Sequence, residues 1–466
     1  MSPTVAAIAC VAFIAFVFYK NHPSEEGIDL SFFIPLIWIL YCSTKPISCW
    51  IYPGTSSEDS AVQGSVYDRY FLSVIILAGI IALRRRNVDW KEFFRQNIWV
   101  FVLFSYMGIS IIWSDYFDIS FRRWIRTLGD LIMATIIVTD KKGFESVAKI
   151  IKTDAFIIIP LTILFVKYFP HIGVDYDQWE GYRMYIGLTT HKNDLGQVAM
   201  ILGLVFLYNI LKNYSLGQKQ NIYDFVFIGM TLWILIGPIT PYDPRSQNKT
   251  SVNSFLISSL LMILYMLFLK RNPRRLNMFV IIAPIAFIVA YLSSEAFYGK
   301  NIFELMVHES GREMTLAGRT DLWRTLVDIG SRDPVLGKGF GGFWMGQSTP
   351  GIFEKISWKA TTGHNGYLDV FVDLGIVGLI ILSAVIISNY RKITRLMIEK
   401  SERATFLIIY LCCIMFHNLT ESSFIKPTNI LWFIFLLISL MPVKTYMYND
   451  DSENIDGANA FFERAE

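Results

Sequence analysis

Charge is what this chain has least of. Only 17% of its 466 residues are Asp, Glu, Lys or Arg, against 53% apolar or aromatic, and mean hydropathy is +0.42. Soluble domains carry about 25% charged residues, so the deficit excludes an ordinary soluble globule and makes a bilayer the solvent for much of the surface. The net charge is only +3, and no basic, aromatic-interleaved patch stands apart from the apolar runs, which excludes a nucleic-acid binder. Cysteine is scarce too. Cys10, Cys42, Cys49, Cys412 and Cys413 sit in or beside apolar stretches and read as packing residues, with a Cys42–Cys49 pair open if their loop faces an oxidising compartment. No His, Cys or carboxylate cluster has metal-ligand spacing, so a site without metal or cofactor is expected. Gly337-Lys338-Gly339-Phe340-Gly341-Gly342-Phe343-Trp344 lacks the Walker spacing, and reads as a flexible aromatic turn suited to sugar rings or lipid headgroups. Met1–Lys20 has no basic start, so it reads as a membrane segment rather than a signal peptide.

What is abundant is apolar runs long enough to cross roughly 30 Å of hydrocarbon. About thirteen candidates lie near 4–19, 30–43, 67–83, 97–113, 121–139, 147–168, 194–211, 223–240, 252–269, 277–293, 364–388, 404–420 and 428–446. The first two are the shortest, so twelve is the alternative. Lys/Arg clusters at Arg84–Arg86, Lys141–Lys142, Lys212–Lys219, Lys270–Arg275 and Arg391–Arg395 each follow an odd-numbered span, which makes those connections cytoplasmic. The even-numbered connections are then external, among them 169–193 and 294–363. The expected architecture is an all-α polytopic integral membrane protein with about 12–13 transmembrane helices and a large helical periplasmic loop. Its parts are a membrane domain at 1–293 with a short periplasmic loop at 169–193, the large loop at 294–363, three last spans within 364–446, and an acidic cytoplasmic tail at 447–466. Long loops among short ones are where chemistry is sought.

In the large loop, Leu322, Leu326 and Ile329 repeat at helical spacing and Gly330 stops the run, which puts Arg319 at the amino end of a short helix. Such an end, joined by a guanidinium, suits a phosphate; the alternative is an arginine paired with Asp321 or another nearby acid. His364-Asn365-Gly366 stands at the mouth of the eleventh span. His364, Gly375 and Gly378 fall close to one helical stripe, where small residues let a neighbouring helix approach beneath an imidazole able to accept a proton near neutral pH. The alternative is an interfacial anchor. Arg183 and Lys192 are cations of the shorter external loop, with salt bridges to Asp175, Asp177 or Glu180 as the plainer reading. Arg122, Arg123 and Arg126 open the fifth span, with Asp130 below them, and Asp373 lies inside the eleventh; intramembrane ions demand partners, so an ion pair among these groups is expected.

His364-Asn365, nine residues, Gly375, two residues, Gly378 resembles the ligase motif of the O-antigen ligase and polymerase superfamily. Arg319, ten residues, Gly330 has the arginine-to-glycine spacing of its polymerases. Arg183 through Gly187 to Lys192-Asn193 and Gly196 is similar to the arginine-bearing segment before an earlier helix, and Ser246–Ser251 more weakly to a serine-rich helix start. The likeness runs over most of 95–445, and the first two spans look closest to the exopolysaccharide-type branch. It implies a lipid-carrier-dependent glycosyltransferase of the bacterial inner membrane with its active site facing the periplasm. Such an enzyme moves glycan, with inversion and without metal or nucleotide sugar, from undecaprenyl diphosphate to an acceptor hydroxyl. In that reading His364 is the base, Arg319, Arg183 and Lys192 hold the diphosphate, and Asn365, Gly375, Gly378 and Gly330 support them. A ligase uses lipid A-core as acceptor and a polymerase another carrier-linked glycan; the motifs do not separate the two, and other polysaccharide assembly proteins are potential partners. A transporter or flippase of a lipid-linked anionic saccharide is the alternative, although no duplicated half is visible.

Overall fold

The structure, a computed structural model, describes residues 1–21, 30–52, 65–177, 181–237, 248–266, 317–345, 352, 360–399, 401 and 403–442. Its elements are almost all helices: α1 Pro3–Asn21, α2 Leu30–Cys42, α3 Ile47–Ile51, α4 Val66–Arg84, α5 Trp90–Gln96, α6 Ile98–Ser110, α7 Phe117–Val138, α8 Phe144–Tyr168, α9 Pro170–Gly173, α10 Lys192–Ser215, α11 Ile222–Ile236, α12 Lys249–Leu264, α13 Ala317–Gly330, α14 Gly366–Ile398, α15 Arg403–His417 and α16 Ile430–Leu440. A single two-stranded antiparallel hairpin, β1 Val174–Tyr176 and β2 Arg183–Tyr185, breaks the series, with Tyr176 opposite Arg183. Twelve of the thirteen expected spans coincide with helix; the tenth, 277–293, lies outside the described residues, as does the acidic tail.

Among the described residues four helices, α1, α4, α10 and α14, are individually long and apolar enough to cross a membrane, and α5 with α6 makes a fifth, bent by 81°. The other apolar helices are shorter, and α7 and α8 carry several charges each. Ile8, Val74, Leu77, Ile112, Ile380 and Ile387 are large apolar residues left exposed, as lipid-facing positions are. The molecule is an all-α polytopic membrane protein.

Helix starts are set by polar residues at the ends of apolar runs, each satisfying backbone N–H groups that no helical carbonyl reaches. Ser65 caps α4, His191 caps α10, Asn248 caps α12, Asn365 caps α14 and Asn429 caps α16. The core runs between α10, α15 and α16, where Tyr410, Trp432, Phe206 and Phe435 are buried.

Connections contact one another in two separate groups. At one end Arg86 reaches the Ile136 carbonyl and Thr139, Lys392 Nζ meets Asn97 and the Ser439 carbonyl, and Asn21 meets Asn221. At the other end Lys45 N–H bonds to Leu188, Thr420 to Thr250, Arg319 to Glu421 and Phe340 N–H to Ser110. The first group joins connections after odd-numbered spans and the second joins even-numbered ones.

A small second core seats the large loop. Leu322 and Leu326 of α13 pack with Phe343, Ile352, Ala360 and Val372, so α13 lies on the start of α14. Gly330 is required there, because a Cβ would meet Phe371 at 2.6 Å.

Candidate functional site

The turn between α15 and α16, residues 418–429, is the floor of the site. Asn418 Oδ1 accepts the N–H groups of Ser423 and Phe424, and Gly366 N–H donates to the carbonyls of Asn418 (2.9 Å) and Glu421 (3.1 Å). A Cβ at Gly366 would sit 2.0 Å from Asn418 Oδ1, so only glycine permits this approach. Asn365 ties the same segments twice more, its N–H to Ser422 Oγ (3.0 Å) and its Nδ2 to the Leu419 carbonyl (3.2 Å), while its Oδ1 caps α14. From the other side Trp323 Nε1 holds the Gly363 carbonyl at 2.9 Å, and Gly363 N–H donates to Asp369 at 2.8 Å. Between these anchors His364 takes φ +45°, a left-handed conformation that a non-glycine residue adopts at a cost of about 1–3 kcal/mol.

That strain aims the imidazole at Glu421. His364 Nδ1 lies 3.0 Å from Glu421 Oε2; Arg319 Nη2 and Asn193 Nδ2 both lie 3.0 Å from Oε1. Arg319 Nη1 also donates to the Thr420 carbonyl at 2.5 Å. One buried carboxylate thus receives groups from three distant segments: α13, the α14 mouth and the start of α10. Burial by itself raises the pKa of Glu421, but the hydrogen bond and charge of His364, with Arg319, more than offset it and hold the carboxyl well below its ordinary range. An ionised Glu421 accepts from Nδ1–H, so in the neutral ring the lone pair is on Nε2, the tautomer a general base needs.

Two further histidines border the cluster. His191 accepts the Asn193 N–H at Nδ1 (3.2 Å), and burial lowers its pKa, both consistent with a neutral ring that sets the start of α10 and hence Asn193. His417, fully buried, lies 3.4 Å from Ser251 Oγ. Ser251 and Thr250 thus bring the start of α12 to the cluster's edge; Ser246 is outside the described residues.

Arg319 therefore pairs with a nearby acid, which is Glu421; Asp321 faces Arg324 at 3.8 Å instead. Arg183 and Lys192 stand apart from Glu421. The Arg183 guanidinium lies over the Tyr185 ring at 5.5 Å, and its buried Nε has no hydrogen-bond partner among the described residues. Lys192 Nζ contacts Tyr182, 2.8 Å from the hydroxyl, and lines a small cleft with Tyr185, Gly196 and Asn248. Asn248 Nδ2 bonds to the Asn193 carbonyl at 3.0 Å, which links this cleft to the Glu421 cluster.

Glu421 lies outside every motif that the sequence displays. Its signal is a lone acid within His417-Asn418-Leu419-Thr420-Glu421-Ser422-Ser423, a polar run between two strongly apolar helices.

Three expectations need correction. The helical stripe from His364 to Gly378 is interrupted: α14 breaks at Gly375 (φ +67°), and what approaches there is not a helix but the 334–338 strap, with Ile376 N–H on the Pro334 carbonyl at 2.8 Å. A Cβ at Gly375 would lie 2.2 Å from the Val335 carbonyl oxygen. The glycine-rich segment is packed rather than open, with Phe340 and Phe343 buried and the Gly341 and Phe343 N–H groups on the Asp373 carboxylate (3.1 and 3.2 Å). Nor do the fifth-span arginines make a direct ion pair with Asp130 or Asp373 among the described residues, although the charges of Arg123 and Asp373 act on one another: Asp130 accepts from Trp38 Nε1 and Thr428 N–H, and Arg123 donates to the Gly341 carbonyl at 2.7 Å.

Residues 245–383 match the family model described as O-antigen ligase, a stretch that holds Arg319, Gly330, His364, Asn365, Gly375 and Gly378. The chain is also 23% identical over 359 residues to the exopolysaccharide production protein ExoQ of Rhizobium meliloti (strain 1021), across 74% of this chain and 77% of that protein. By these two matches the chain is similar to O-antigen ligases and to an exopolysaccharide production protein, as its His364 and Arg319 motifs led one to expect.

Proposed function

We propose that this protein is a membrane glycosyltransferase of surface polysaccharide biosynthesis that moves glycan from an undecaprenyl diphosphate carrier to an acceptor hydroxyl at the periplasmic face. The observation that carries the reading is the convergence of Arg319 and His364 on the two oxygens of Glu421. His364 Nε2 takes the acceptor's proton as the acceptor oxygen bonds to the anomeric carbon. The glycosidic C–O bond to the diphosphate breaks with its electron pair leaving on the diphosphate. Glu421 fixes the tautomer of His364 and stabilises the imidazolium that forms. Arg319 keeps N–H donors beyond the two it uses on Glu421 and Thr420. With Arg183, whose Nε lacks a partner among the described residues, and Lys192, it offsets the charge that grows on the leaving diphosphate.

Purified full-length protein in nanodiscs, given a lipid-linked oligosaccharide in EDTA, tests the reading. Elongation without a second acceptor means a polymerase, and transfer only with lipid A-core means a ligase. His364→Ala lowers turnover by roughly two to four orders of magnitude with carrier binding retained. Translocation without a new glycosidic bond identifies a transporter and defeats the proposal, and an undiminished His364→Ala rate removes the base.

A further inference from the structure

Arg123 is absorbed by the glycine-rich strap through the Gly341 carbonyl, whereas its neighbours Arg122 and Arg126 make no such bond among the described residues. Helices α4 and α7 run side by side in the same direction. Gly79 lies against Ile132, Met133 and Ile136, where a Cβ would sit 2.6–3.2 Å from their side chains, and Arg86 reaches Thr139 at the far end. Carried back ten residues from Gly79, the same register sets Arg69 level with Arg122 and Arg126. The charges of Arg122 and Arg69 act on Arg126, opposed by Asp68.

These three cations are poorly compensated. None makes a hydrogen bond or an ion pair with any described residue. Asp68 is buried, and its oxygens are taken up by Ser48 Oγ (2.5 Å), Ser48 N–H (3.4 Å) and the Tyr41 hydroxyl (3.2 Å). Both helices also begin at this end, so their positive dipole ends add to the like charge instead of relieving it. Arg122 and Arg126 are half-buried, with Arg69 exposed beside them, and half-buried cations in such a field call for an anion. Its form is suggested by what flanks it: Tyr70, Val74, Leu77 and Ile81 make an exposed stripe down α4 at helical spacing, and Phe117 and Phe121 stack, exposed, on α7. Acyl or prenyl chains have an apolar track directly below the charges.

We propose that Arg69, Arg122 and Arg126 form a second anion site, separate from the Glu421 cluster, that holds the phosphate of a membrane lipid. Anionic phospholipid headgroups and carrier diphosphates share this chemistry. The site does not depend on the role given to His364.

Two probes separate the sources. Full-length protein is titrated with phosphatidylglycerol in phosphatidylcholine nanodiscs, and, in an Arg319→Ala background, with undecaprenyl diphosphate. Arg122→Gln with Arg126→Gln weakens binding of the true ligand roughly tenfold per arginine removed, while Arg122→Lys with Arg126→Lys retains most of it. Loss of phosphatidylglycerol binding identifies a headgroup site, and loss of diphosphate binding a carrier site. Unchanged binding of both overturns the proposal. Should the glutamine variants not fold, unsubstituted protein is photolabelled with a headgroup-reactive analogue of each lipid. Label on 66–72 and 117–126 supports the site, and label confined elsewhere overturns it.

Discussion

Glu421 is the residue on which most depends, because its loss strands two partners at once. Its side chain is 6% exposed, and Arg319 and His364 are also largely covered. Glu421→Gln leaves the Arg319 cation without its counter-charge, which destabilises a buried pair by about 3 kcal/mol, and lets the His364 ring choose the wrong tautomer. Turnover falls by roughly a hundredfold or more. Since the Glu421 pKa is depressed, its stabilising contribution is fully present above its ordinary value of 4.5 and declines as pH drops below that. Thermal melts of wild type and Glu421→Gln should therefore differ most at neutral pH and converge in acid; a gap that instead widens in acid contradicts the ionised assignment. The sequence showed His364 and Arg319 by their spacing to glycines, which is local information. Glu421 has no such spacing, and its importance arises from partners 102 and 57 positions earlier in the chain folding back on it.

At the scale of elements, apolar run length made twelve helices legible, while the course of α14 was not. A stripe argument assumes unbroken helix, and Gly375 breaks it so that the 334–338 strap can lie in the gap. Gly337 contributes from the strap side, with φ +68° and a missing Cβ that would meet Gly375 N at 2.6 Å. Gly375→Ala forces a side chain onto the Val335 carbonyl at a left-handed backbone position. The expected destabilisation is about 2–4 kcal/mol, read by thermal unfolding, with loss of activity through release of α13 and the Asp373-held strap. Full stability in that variant would show that the two segments do not need their contact.

For the whole molecule, alternation of Lys/Arg clusters was readable from composition, because sidedness is a tendency summed over many short loops. Which loops meet was not readable, since no local pattern records it. The two groups of contacts give the sidedness expectation a direct test. In a cysteine-free background in intact cells, Arg332→Cys on the large loop reacts with an impermeant reagent, and Arg85→Cys reacts only after permeabilisation. The reverse pattern inverts the topology and moves the Glu421 cluster to the cytoplasm.

Because Asn365, Gly366, Arg319 and His364 all grip residues 418–422, the large loop and the turn between the last two helices are co-dependent parts. Anyone transplanting the loop between relatives to change the sugar handled has to carry this turn along as one cassette. A graft of 317–366 alone would place a foreign arginine and histidine over a native glutamate they were never fitted to. Restoring the donor's 418–422 should rescue such a chimera without any further exchange.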